Sequence, residues 1–162
     1  NMWYVADSLY ISGDNGATAT YKNKPTNTWA YRTFDLKEGV YTISFDWKSL
    51  GDGADYMRVL FVPALSQFTD GSADVFNFDG SVVALSAAQQ SFPSDWIDLG
   101  LDGKPFNLSS NWATYSKTFL VTPEMAGFYR LVFYWANDDI STSATNASAI
   151  VDNLFIEKAT CS

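Results

Sequence analysis

The sequence predicts an all-β protein, a two-sheet antiparallel β-sandwich, on three observations: period-2 alternation, a shortage of helix signals, and an acidic complement dominated by Asp. Fifteen of the eighteen acidic residues are Asp, and only Glu38, Glu124 and Glu157 are Glu. Asp favours turns and loops where Glu favours helices. At 162 residues the chain fits one core, and 47% hydrophobic and 17% aromatic residues are too much apolar surface for a disordered polymer.

The clearest strand is Gly39–Lys48, where Tyr41, Ile43, Phe45 and Trp47 alternate with Thr42, Ser44, Asp46 and Lys48. The same lettering, G-x-Y-x-[I/L]-x-F-x-W, returns at Gly127–Trp135 with a less polar opposite face. The two segments read as strands in equivalent roles, adjacent or facing. Ser8–Ser12, Trp29–Leu36, Tyr56–Val62, Trp112–Val121 and Ala149–Glu157 are further strands, each rich in aromatic or β-branched residues and fenced by Gly, Asp, Asn or Pro. Seven or more short strands imply a sandwich. Thr122-Pro-Glu-Met reads as a single capped turn before Gly127, and Val82–Gln90 as a short helix or another strand. The longest irregular stretch runs from Pro63 to about Asn111 and carries Phe92 and Trp96, and loops of that length tend to be functional or self-packed.

Several functions are disfavoured by composition. Ten Lys+Arg against eighteen Asp+Glu leave a net charge of −8 and no basic patch, so nucleic acid is not an expected partner. With no His, the commonest general base and zinc ligand are missing. Phosphate-cradling Gly loops, CxxC pairs and G-x-S-x-G elbows are also missing. Cys161 stands alone and cannot form an internal disulfide, and no apolar run of about 18 residues exists, so membrane insertion is not expected.

Asn1-Met-Trp3, Ser8–Ser12 followed by Gly13-Asp14-Asn15-Gly16, Ser44-Phe-Asp-Trp-Lys48, Asp55-Tyr-Met-Arg-Val59 and Ala149-Ile-Val-Asp-Asn153 resemble the jelly-roll modules of Bacteroidetes extracellular proteins. These are similar to cleaved-adhesin domains and, more distantly, to MAM-type domains. The resemblance implies that the two-sheet antiparallel sandwich has jelly-roll topology, and it implies a module of a larger polypeptide, residence outside the bacterial cell or on its surface, and adhesion or carbohydrate binding, often with structural Ca²⁺. Its partners would be a glycan or host-surface ligand and the other modules of the same chain. Where the family pattern reads Asn-Asp-Gly-Gly, this chain has Gly13-Asp14-Asn15-Gly16; Asp14 keeps the carboxylate.

Asp152 shares strand phase with Ile150, Leu154 and Ile156, which places a carboxylate on the face that ought to be inside. There it needs a cation or several hydrogen-bond donors. It reads either as a Ca²⁺ ligand joined by Asp14 or Asn15, or as a hydrogen-bonded Asp near the sandwich rim. Asp46 takes the polar phase of its strand, Asp52 and Asp55 read as a hairpin turn, and Asp138-Asp139 as a solvated loop or a tip site. Sugar binding needs ring faces that lie against the C–H side of a pyranose, flanked by polar groups that reach its hydroxyls. Tyr41, Phe45, Trp47, Phe133 and Trp135 are at core phase, and the resemblance implies packing roles for Trp3 and Trp112. Trp29, Tyr31, Phe92 and Trp96 remain as platform candidates, with Trp96 first. A small glycosidase would need two converging carboxylates, but Glu38, Glu124 and Glu157 read as rim decoration, so the chain is expected not to be an enzyme.

Overall fold

A computed structural model of the chain describes residues 1–24, 26–51, 55–64, 96–100, 106–137 and 147–160. Nine strands are formed by these residues: β1 (Met2–Val5), β2 (Leu9–Ser12), β3 (Thr26–Leu36), β4 (Gly39–Ser49), β5 (Tyr56–Pro63), β6 (Ile97–Asp98), β7 (Ser109–Val121), β8 (Gly127–Asn137) and β9 (Ala149–Lys158). They build a five-stranded sheet ordered β1-β2-β9-β4-β7 and a four-stranded sheet ordered β3-β8-β5-β6, and every pairing is antiparallel. From β2 to β9 the chain changes sheet at every step except β5 to β6. That interleaving of two four-strand layers is jelly-roll topology, with β1 added at one edge. The expected all-β sandwich is therefore observed. No helix among the described residues is long and apolar enough to cross a membrane.

β4 and β8 are interior strands of opposite sheets, and their shared alternation brings the same face of each into the space between the layers. Tyr41, Ile43, Phe45 and Trp47 are buried from one side, and Tyr129, Leu131, Phe133 and Trp135 from the other. Phe45 sits at the centre, with ring centroids 5.2 Å from Tyr115, 5.6 Å from Phe106 and 6.0 Å from Phe133, the last edge to face. The leading glycine of each repeat has a backbone reason. Gly39 and Gly127 enter their strands at φ +145° and +150°, where an L side chain is strained.

The Thr122-Pro-Glu-Met segment forms a turn, in which the amides of Met125 and Ala126 both donate to the Thr122 carbonyl at 3.0 Å. Trp3 packs against the core as expected, edge-on to Phe133, and donates its indole N–H to the Thr28 carbonyl at 3.2 Å. Trp112 does not, because it lies on the outward phase of β7 and is 51% exposed.

The expectation that Asp152 points inward is overturned. Along β9 the inward residues are Ala149 and Val151; a bulge then intervenes, and Ile156 is inward opposite Ile43. Asp46 pairs with Asp152 but Ser44 with Phe155, so two steps on β4 match three on β9. Asn153 takes up the extra residue at φ +53°, a conformation that Asn tolerates better than most residues. Strict alternation read back from Ile156 therefore assigns Asp152 to the wrong face.

Candidate functional site

β3 pairs with β8 in a register that sets Trp29 beside Tyr134, Tyr31 beside Val132, Thr33 beside Arg130 and Asp35 beside Phe128. These residues share the outward phase of the four-stranded sheet. The face has two halves. Toward β5, Tyr56, Leu60, Val62, Val132, Tyr134 and Ala136 form a second buried apolar cluster with Trp96, and Trp29 packs partly buried against it. Toward the other end, Tyr31 and Phe128 are 54% and 63% exposed. The Arg130 guanidinium lies 5.0 Å from the centre of the Tyr31 ring, within cation–π range.

Beside Thr33 and Phe128 the surface falls into a cleft of about 680 Å³, closed by Pro63 and Ala64 at the end of β5 and by Glu124 and Met125 of the turn before β8. A backbone hydrogen bond of 2.8 Å from the Ala64 amide to the Phe128 carbonyl holds the two walls together. The lining of the cleft is mostly apolar. Thr33, Glu124, Asp35 and Arg130 supply hydroxyl, carboxylate and guanidinium groups on or near its border. Asp35 is held by Lys37 at 2.8 Å.

Of the three expected platform aromatics among the described residues, Trp29, Tyr31 and Trp96, only Tyr31 is placed to meet a ligand. Trp96, the first choice, is 8% exposed and belongs to the second apolar cluster, so its ring face is committed to packing. Trp29 is partly covered by the same cluster, and Phe92 lies outside the described residues. Nor is the carboxylate near Trp96 available to a sugar: Asp98 pairs with the buried Arg58 at 3.7 Å. Burial lifts the Asp98 carboxyl above the ordinary range, opposed by the Arg58 charge.

The expected metal set Asp14, Asn15 and Asp152 is not assembled. Asp152 is level with the start of β2, since Val151 pairs with Leu9, whereas Asp14 and Asn15 follow the strand's far end. A strand of four residues, on the order of 13 Å, lies between them. Each carboxylate also has a local use. Asp14 accepts from the Ser12 hydroxyl at 2.5 Å, the Thr18 amide at 2.9 Å and the Thr18 hydroxyl at 2.5 Å. Those bonds, Ser12 first, draw its pKa down to about 2. Asp152 accepts from the Asn153 amide at 2.8 Å. Among the described residues no group of three His, Cys, Asp or Glu is placed to hold a metal.

Asp46 and Asp55 are also accounted for. Asp46 bonds Thr114 at 2.6 Å and Asn153 at 2.8 Å across three strands of the five-stranded sheet. Asp55, expected in a hairpin turn, is fully buried and accepts the Tyr21 hydroxyl. Asp52, Asp138 and Asp139 lie outside the described residues.

Sequence reasoning missed Phe128 and Arg130 as site residues. The signal is present: in Gly127–Trp135 they occupy the phase opposite Tyr129 and Leu131, on the face that reads as less polar than its counterpart in Gly39–Lys48.

No family model matches the chain, and no curated protein matches it in sequence. Solved structures resemble it in shape. The crystal structure of the enzymatically active domain of bacteriophage CBA120 tailspike protein 4 superposes with a TM-score of 0.53 at 9% identity over 98% of this chain. The chain spans 18% of that tailspike chain's length. A CBM35 from Cellvibrio japonicus Abf62 aligns over 99% of this chain and 93% of its own, at 12% identity and a TM-score of 0.32. At 9% identity the tailspike likeness speaks to the fold alone.

Proposed function

We propose that this chain is a non-catalytic glycan-binding module that works outside the cell as one part of a larger polypeptide. The observation that carries the reading is the exposed Tyr31 ring, set beside Arg130 and followed along the same sheet face by Thr33, Phe128 and the cleft closed by Glu124. A pyranose laid on Tyr31 or Phe128 would bury its C–H face against a ring while its hydroxyls meet Arg130, Thr33 and Asp35. Glu124 is the one carboxylate among the described residues lining the cleft, whereas glycoside hydrolysis calls for a pair about 5–10 Å apart. The structural calcium implied by the family resemblance would need ligands other than Asp14, Asn15 and Asp152.

The test is a glycan array, run with and without added calcium and followed by calorimetry on the best hits. Tyr31→Ala and Phe128→Ala should each weaken binding about tenfold or more, in line with the loss of a stacking anchor, while Trp96→Ala should act on stability. Absence of binding to any glycan with calcium present, or hits indifferent to both substitutions, overturns the proposal. A second reading, a spacer or protein-adhesion module, is favoured by the burial of Trp96. It predicts empty arrays together with capture of a protein partner through the same face.

A further inference from the structure

β7 spans 13 residues and, among the described residues, is paired on one side only, with β4. Native edge strands are usually kept from pairing further by shortness, proline, bulges, outward or inward charge, or a covering segment. From Trp112 to Leu120 β7 has no proline, and its register with β4 runs unbroken from Ala113 to Val121. Its one charge, Lys117, lies opposite Ile43 on the inward phase, where a lysine can also blunt an edge; here its ammonium is engaged within the same molecule, donating to the Asp98 carbonyl at 2.8 Å. The outward residues are Trp112, Thr114, Ser116, Thr118 and Leu120, all exposed, with Trp112 at 51% and Leu120 at 58%.

That outward row is a chemical palindrome: apolar, Thr, Ser, Thr, apolar. We infer that β7 pairs antiparallel with β7 of a second copy about a twofold axis through Ser116, joining two five-stranded sheets into one of ten strands. In this register Trp112 faces Leu120 of the second copy twice, Thr114 faces Thr118 twice, and Ser116 faces itself. Apolar pairs and Thr–Thr pairs are favourable cross-strand neighbours. A self-complementary patch of this kind is what a closed twofold contact requires. A strand carrying one inward lysine also brings no facing like charges into contact, although each chain carries −8 overall. The interface uses the opposite sheet from Tyr31 and is independent of the glycan proposal. If both hold, the dimer presents two sites and gains avidity on a repeating ligand.

The test is light scattering with sedimentation over a concentration series. The wild-type chain should approach twice its 18.0 kDa mass. Ser116→Glu sets two carboxylates face to face and should weaken dimerisation about tenfold or more while circular dichroism stays that of a folded sandwich. Thr114→Lys combined with Thr118→Lys should do the same, whereas Thr114→Lys combined with Thr118→Glu should stay dimeric, because the register pairs each introduced lysine with an introduced glutamate. A wild-type chain that remains monomeric throughout, a folded Ser116→Glu dimer, or identical behaviour of the two double variants overturns the inference.

Discussion

β4 and β8 carry the same nine-residue pattern and the same position, interior and next to an edge strand of their sheet, yet their outward faces share nothing. On β4 the residues between the aromatics are Thr42, Ser44, Asp46 and Lys48, which form a polar surface cross-linked by Thr42–Thr118 at 3.1 Å and Asp46–Thr114 at 2.6 Å. On β8 the matching positions are Arg130, Val132, Tyr134 and Ala136, of which the last three are buried in the second apolar cluster. The pattern thus specifies only what meets the other layer. The letters between decide whether a sheet is buried on one face or on both, and in this molecule the sheet buried on both faces is also the one that offers an aromatic site at its open end.

Inward positions should be equivalent in the two strands, and breaking that equivalence should give the largest effects. Phe45→Ala and Phe133→Ala each remove a ring from the same packed centre and should cost about 3–5 kcal/mol in urea unfolding. A loss under 1 kcal/mol for one of them would mean that the layers do not share a core.

Outward positions should diverge. Val132→Ala deletes two fully buried methyl groups and should cost about 2 kcal/mol, while Ser44→Ala at the matching position of β4 should stay within about 0.5 kcal/mol. Equal costs would refute the contrast between the two outer faces.

The smallest effects lie in pH. Asp46 and Tyr134 occupy matching positions and are perturbed in opposite ways. Hydrogen bonds from Thr114 and then Asn153 pull the Asp46 carboxyl below its ordinary 3.8, whereas burial pushes the Tyr134 phenol well above 10.0. Because folded Asp46 holds its proton less tightly than the unfolded chain does, its contribution is complete above pH 3.8 and fades as the pH falls through the folded value. Folded Tyr134 keeps a proton that the unfolded chain releases above pH 10.0, so stability falls as the pH rises beyond that point. Melting temperature against pH should show a shallower acid limb in Asp46→Asn and a shallower alkaline limb in Tyr134→Phe. Unchanged limbs would mean that neither group is perturbed.

What could be read from the sequence follows the same division. Gly39–Lys48 and Gly127–Trp135 were legible because one buried face imposes a period of two, and the jelly-roll topology implied by the resemblance, which segments such as Ser44–Lys48 and Asp55–Val59 carry, is the one observed. Tyr31 was legible as a strand-edge ring. Trp96 was misjudged because a tryptophan in a turn-rich segment looks available until the sheet beside it is known to bury its second face. Asp152 was misjudged for another reason: alternation assumes an unbroken ladder, and nothing in Asp152-Asn153 announces a bulge except an Asn able to adopt positive φ. The short β1 and β6 carry too few residues for periodicity to register.

That bulge has a consequence for how firmly β9 is seated. A strand of uniform alternation can slip by one residue and turn itself inside out. β9 already contains such a slip, pinned at its crest by the Asn153–Asp46 hydrogen bond, with odd-numbered residues facing inward before it and even-numbered Ile156 after it. To slide, the strand would have to drag this kink past a fixed partner, so the bulge works as a detent that locks the middle of the sheet in place.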